Sequence, residues 1–161
     1  MDYHGKRASF ITLGCKLNFS ETSSIAHSLE ESGFQRVDFD EKADLCFINT
    51  CTVTSAGDKS SRNLLRRAIR NNPDAVIVAA GCYAQLKPEE LSLIHGIDFI
   101  LGSHEKFLLP GILGNLEKKE KPVICNSGLW QQPAFHGSLS KNDRTRCFLK
   151  IQDGCDYYCS Y

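Results

Sequence analysis

The chain has 161 residues, 42% of them apolar and 24% charged, with a formal net charge of zero. Those proportions are those of a folding globular protein with room for one domain of ordinary size and some residues beyond it. They exclude a global electrostatic pull toward nucleic acid or membrane, so any such contact has to rest on a local patch. No apolar run approaches the length of a bilayer span. The start, Met-Asp-Tyr-His-Gly-Lys-Arg, lacks the apolar core of a secretory signal, and a cytoplasmic location is expected.

Residues 8–13 read as a first strand, closed by Gly14. Between Ser20 and Ser32, Ile25, Ala26 and Leu29 recur at helical spacing, with Ser20 as the expected cap and Gly33 as the stop. A short edge strand is expected over 34–37 and another strand over 45–49. A helix follows over 56–71 with Leu65, Ala68 and Ile69 facing inward. Residues 75–80 are apolar at every position, as in a central parallel strand buried on both faces. Pro88, Glu89 and Glu90 open a short helix that should end near Ile94, Asp98 to Leu101 form a further strand, and Lys106 to Leu116 a last helix that Pro110 interrupts.

This alternation defines an α/β domain, doubly wound, with a mostly parallel sheet of about five strands of the flavodoxin/Rossmann-like kind. The expected organisation is an α/β domain over 1–118, a linker over 119–144, and the first strand and loop of a second, truncated domain over 145–161; the charge run Glu117 to Pro122, which spans the first of these boundaries, is expected to be solvated.

Eight cysteines in a chain with an ordinary core suggest metal, redox or buried thiols rather than a disulfide scaffold. Cys46, Cys125 and Cys147 lie in apolar, strand-like runs and are expected to be packed as small hydrophobes. Cys15, Cys51 and Cys82 each follow a predicted strand in a tight turn. In a parallel sheet all three would emerge at the carboxyl edge, where open α/β sheets place ligands. Zinc sites generally pair cysteines about two to four residues apart, which these three are not; thiolates delivered singly suit an iron–sulfur cluster, with one iron left open. Gly14 and Gly81 would let the backbone approach its bulky core. Ordinary strand-end cysteines remain the alternative. Cys155 and Cys159 form a second, short pair, and the chain stops where a third ligand would come.

Taken together, the segments 13–18 (Leu-Gly-Cys-Lys-Leu-Asn), 49–54 (Asn-Thr-Cys-Thr-Val-Thr), 81–85 (Gly-Cys-Tyr-Ala-Gln) and 150–155 (Lys-Ile-Gln-Asp-Gly-Cys) with Cys159 resemble the radical S-adenosylmethionine tRNA methylthiotransferases. The Asn-Thr-Cys-Thr-Val-Thr form, with residues 59–62 (Lys-Ser-Ser-Arg), is most similar to the branch acting on threonylcarbamoyladenosine beside the anticodon. The resemblance covers nearly the whole chain. It implies that Cys15, Cys51 and Cys82 hold an auxiliary [4Fe–4S] cluster for sulfur delivery. Cys155 and Cys159 would be the first two ligands of the radical [4Fe–4S] cluster that binds S-adenosylmethionine. The full enzyme would add a methylthio group to carbon 2 of the adenine in the tRNA anticodon stem-loop. Its radical barrel and RNA-binding domain are not in this sequence, so the fragment is expected to be inactive alone and to carry no catalytic residue of its own.

Lys59, Arg62, Arg66 and Arg70 fall at helical spacing on one face, with Arg67 close by, and form either an RNA-contacting stripe or a solvated face. His27, His95, His104 and His136 show no paired spacing and read as surface or loop residues, and Asp38, Asp40, Glu41 and Asp44 as a solvated acidic loop. Two other readings stay open: a self-contained thiol redox or zinc-binding α/β module, and a flavodoxin-like binding domain without metal. The second is disfavoured because no GxGxxG turn or P-loop lysine follows any strand.

Overall fold

The computed structural model describes residues 3–52, 54–127, 135–140 and 147–152. Six strands form one sheet in the order β2-β1-β3-β4-β5-β6, every pairing parallel: β1 Arg7–Thr12, β2 Gln35–Val37, β3 Leu45–Thr50, β4 Val76–Gly81, β5 Phe99–Leu101 and β6 Val123–Cys125. A small antiparallel pair, β7 Ser138–Leu139 and β8 Leu149–Lys150, lies apart from it. No helix among the described residues is long and apolar enough to cross a membrane.

The period-two alternation of the central strands splits the core into two layers. Ala8, Leu45, Phe47, Val76 and Val78 face α1 (Lys16–Glu31) and α5 (Leu109–Ile112) through Ile25, Leu29 and Leu109. Cys46, Ile48, Ile77, Ala79 and Ile100 face α2 (Ser55–Asn71), α3 (Cys82–Leu86) and α4 (Pro88–Ser92) through Leu65, Ala68, Tyr83, Ala84 and Leu91. Covering on both faces is why residues 75–80 carry no polar side chain. The strand order runs outward in both directions from the β1/β3 pair, so the connection through α1 and the connection through α2 cover opposite faces and leave a crevice between their starts.

Three local expectations differ from the structure. Helix α1 starts at Lys16 with Cys15 as its N-cap residue, about one turn before Ser20, although the Cys15 side chain makes no capping bond. Ser20 is instead buried inside the helix, where its hydroxyl bonds the Leu17 carbonyl at 3.0 Å and the Ser138 hydroxyl at 2.8 Å. The stop at Gly33 is as expected, at φ 103. Where one helix was expected over 106–116, a 3-10 turn at Glu105–Leu108 runs into α5, which ends at Ile112.

The charge run after Leu116 is not simply solvated. Asp98, fully buried at the start of β5, accepts hydrogen bonds of 2.7 Å from Ile77 N, Lys118 Nζ and Lys119 N. Lys118 also donates to the Ala75 and Gly96 carbonyls at 3.0 Å. A buried carboxylate needs such partners, and meeting them steers the chain along the sheet edge so that β6 pairs with β5 as a sixth strand.

Candidate metal centre at the carboxyl edge

The register places three cysteines at one edge of the sheet. Thr12 is level with Asn49 and Thr50 with Gly81. Cys51 and Cys82 are therefore each one residue beyond the last β3–β4 pair, and Cys15 follows the end of β1 across the crevice. The side chains belong to one neighbourhood. A Cβ built on Gly14 would lie 2.9 Å from Cys51 Sγ, which puts that sulfur against the backbone leading into Cys15. Burial pushes the Cys82 thiol up; the Lys106 ammonium opposes this, while the Cys51 and Cys15 thiols and Glu21 add to it. Cys15 is exposed, and Cys51 and Cys82 are half-buried.

A buried polar network forms the floor beneath the thiols. Asn49 donates from Nδ2 to the Asn18 carbonyl and to Thr22 Oγ1, both at 3.0 Å. Asn18 donates to the Leu13 carbonyl at 2.9 Å and the Thr50 carbonyl at 3.4 Å, and Thr50 Oγ1 donates to the Ala80 carbonyl at 2.6 Å. These bonds knit the ends of β1, β3 and β4 to the first turns of α1, so the cysteines are presented from a rigid base. The backbone of Cys51 is held separately: Ser61 Oγ accepts from its amide at 3.3 Å and donates to its carbonyl at 3.0 Å. Asp58 accepts from Thr52 and, at 2.8 Å, from Lys87. Those hydrogen bonds, first Lys87 and then Thr52, keep its carboxyl below the usual range. Asn18, Asn49 and Ser61 lie inside segments quoted from the sequence, but no role was read for them or for Asp58, although polar residues at the end of the otherwise apolar β3 were a usable signal.

The glycines of two of these turns are closely packed. At Gly81, with φ 94, the space of a Cβ is taken by Asn49 Oδ1, 2.2 Å from where that atom would stand; at Gly14, with φ 95, it is taken by Cys51. Both make room for side chains of this chain itself.

Tyr83, directly after Cys82, is fully buried, accepts from Arg62 at 2.6 Å and donates to Glu90 at 2.8 Å. Arg62 is thereby drawn out of the basic stripe, leaving Lys59, Arg66 and Arg70 exposed on α2, while Arg67 is ion-paired with Asp40. Of the three cysteines expected to be packed, Cys46 is fully buried and Cys125 half-buried against the core, but Cys147 is exposed; it donates to the Ser140 carbonyl at 2.9 Å. Of the histidines, His27 bonds Glu30 at 3.0 Å, and His136 stacks on Phe107 with its ring centroid 6.4 Å from that of His104, a proximity that the sequence spacing did not show. Cys155 and Cys159 lie outside the described residues.

Among the described residues no three His, Cys, Asp or Glu side chains are gathered to hold a single metal ion. A lone zinc needs its ligands around one atom, whereas a cubane cluster takes one thiolate per iron. Three thiols, each from its own strand end, suit the second kind of group. A pocket of about 130 Å³ lined by Gly14, Cys15, Lys16 and Phe19 adjoins Cys15. A larger cavity, about 660 Å³, lies away from the thiols between α1 and β7.

A doubly wound parallel domain that carries a three-cysteine edge at its switch point is thus the class of protein these features define. Residues 7–102 match the family described as Uncharacterized protein family UPF0004, and the chain belongs to it. It is similar to the threonylcarbamoyladenosine tRNA methylthiotransferase MtaB of Bacillus subtilis, at 42% identity over 95% of this chain and 34% of the relative. The protein of the same name from Aquifex aeolicus is 36% identical over 96% of this chain and 38% of the relative. The tRNA-2-methylthio-N(6)-dimethylallyladenosine synthase of Syntrophus aciditrophicus is 31% identical over 93% and 34%. The chain therefore spans about a third of the length of these curated relatives.

Proposed function

We propose that this chain is the auxiliary-cluster domain of a cytoplasmic tRNA methylthiotransferase of the threonylcarbamoyladenosine type. The observation that carries the reading is the delivery of three thiols by β1, β3 and β4 to one edge at the switch point of the sheet. The printed activities of the relatives support it. Cys15, Cys51 and Cys82 would hold a [4Fe–4S] cluster, which supplies the sulfur-delivery chemistry when bound. The chain's own contribution is positional: Asn18 and Asn49 fix the floor, Ser61 fixes Cys51, and the Tyr83–Arg62 bond fixes the start of α3 at Cys82. Cys155 and Cys159 would be the first ligands of the second cluster, the one that binds S-adenosylmethionine. The radical barrel, the RNA-binding domain and the tRNA anticodon stem-loop would be the partners of the whole enzyme.

Anaerobic reconstitution with iron and sulfide tests this reading. The chain should take up about four irons as one cluster. With tRNA, reductant and S-adenosylmethionine added, nucleoside mass spectrometry should find no methylthiolated adenosine. A chain that takes up zinc and excludes iron, or methylthiolates tRNA unaided, contradicts it.

The exposed cations of α2 extend the proposal to RNA. Affinity for an anticodon stem-loop should fall with salt. Replacing Lys59, Arg66 and Arg70 by Ala should flatten the slope of log K against log salt by about two to three, near one unit for each phosphate that is no longer neutralised. Arg62 is left intact in that variant because its loss would also disturb Tyr83. An unchanged slope would make the stripe a solvated face.

A further inference from the structure

One buried carboxylate joins two parts of the chain that sequence alone leaves unconnected. Glu21, in the second turn of α1, is 4% exposed; its Oε2 accepts from Lys106 Nζ at 2.6 Å and its Oε1 from Lys150 Nζ at 2.9 Å. Lys106 belongs to the 3-10 turn after β5 and is 2% exposed, and Lys150 belongs to β8 and is 6% exposed. Buried ammonium groups need facing groups: the Glu21 carboxylate is one, and the Phe107 ring is another, its centroid 5.7 Å from both Nζ atoms, with Phe135 5.9 Å from Lys150. These are cation–π distances.

The contacts around the triad follow one stripe of α1. Lys16 lies over the Phe148 ring at 5.7 Å, and Phe19 meets that ring edge-on at 6.0 Å. Ser24 Oγ accepts from Leu139 N at 2.9 Å and donates to the Leu139 carbonyl at 3.3 Å, which satisfies the backbone of β7 from a helix side chain. The face of α1 that carries Ser20, Glu21 and Ser24 is therefore a built seat for the β7–β8 pair.

We propose that the Lys106–Glu21–Lys150 triad is a latch that fixes β8 against the helix that begins at Cys15. Cys155 follows Lys150 by five positions in the sequence. On the proposed function, on which this consequence rests, the latch ties β8, the strand that precedes the second cysteine pair in the sequence, to the helix that has Cys15 as its N-cap residue. Glu21, Lys106 and Lys150 are positioning residues in that scheme.

Native-state hydrogen exchange on the 161-residue chain tests the latch. Lys150→Met keeps the length and apolar stem of the side chain, and it leaves the Glu21–Lys106 pair intact. The amides of Leu139, Ser140 and Phe148 should then exchange at least tenfold faster, with those of β3 and β4 unchanged. Glu21→Gln should release the same amides, and adding Lys150→Met to it should release them no further. Unaltered exchange at these amides in Lys150→Met would overturn the latch, and so would an equal acceleration in β4, which would indicate general destabilisation. Iron content read on the same reconstituted samples separates the two ideas. Failure of the unsubstituted chain to take up iron removes the cluster reading and leaves the latch standing. Normal iron uptake with unaltered exchange does the reverse.

Discussion

Gly81→Ala should destabilise the domain by about 2–6 kcal/mol, from a conformation close to glycine-only, which costs about 1–3 kcal/mol, and a comparable overpacking cost. Gly81 has φ 94 and ψ −157, and an added Cβ would stand 2.2 Å from Asn49 Oδ1 and 2.8 Å from the Thr50 carbonyl. Neither neighbour can give way cheaply. Asn49 is fully buried and committed through its Nδ2 to Asn18 and Thr22, and Thr50 O is backbone of the central strand. Set against a typical stability of about 5–15 kcal/mol, this loss should move the urea midpoint far down at an unchanged slope. It should also loosen the floor under the thiols, since Asn49 is where the strain would be relieved. Gly111→Ala is the control: it lies in α5 with nothing within 4 Å of the added atom. There the helix should gain roughly 0.5–1 kcal/mol. Equal midpoints for the two variants would mean that Gly81 is not held as described.

The sheet was legible in the sequence because its central strands have no alternative. Residues 76–80 and 45–48 are apolar without a break, and only burial on both faces explains that. Helix α2 was legible for a related reason: its apolar positions keep helical spacing and Thr54 caps it by accepting from Gly57 N. Helix α1 was read short because its first turns bury Asn18, Ser20, Glu21, Thr22 and Ser23, so hydrophobic periodicity appears only from Ile25 onward. Those polar residues are inside because they serve the floor of the thiol site and the seat for β7–β8. Both are tertiary demands that leave no local pattern. The three cysteines could be expected at one edge because each follows a run read as a parallel strand, while Ser61 on Cys51 and Lys106 near Cys82 depend on loop paths that no spacing encodes. The run around Cys125 was read as strand-like but left in the linker, and what brings it to the sheet as a sixth strand is the pairing of Lys118 with Asp98.

The second large effect, and the most direct test of the central claim, is the iron content of single cysteine variants after anaerobic reconstitution. Cys15→Ala, Cys51→Ala and Cys82→Ala should each fall from about four irons per chain to near none and lose the broad visible absorption, because a cluster with only three protein thiolates has none to spare. Cys46→Ala and Cys125→Ala should retain the iron. Cys46 is enclosed between β3 and the α2 layer with its thiol pushed up by burial, and Cys125 packs against the other layer, so their loss costs packing and leaves the edge intact. Cys147→Ala should also retain it. Iron content that falls equally in all six variants, or that survives in any of the first three, would contradict the assignment of the cluster to this edge of the sheet.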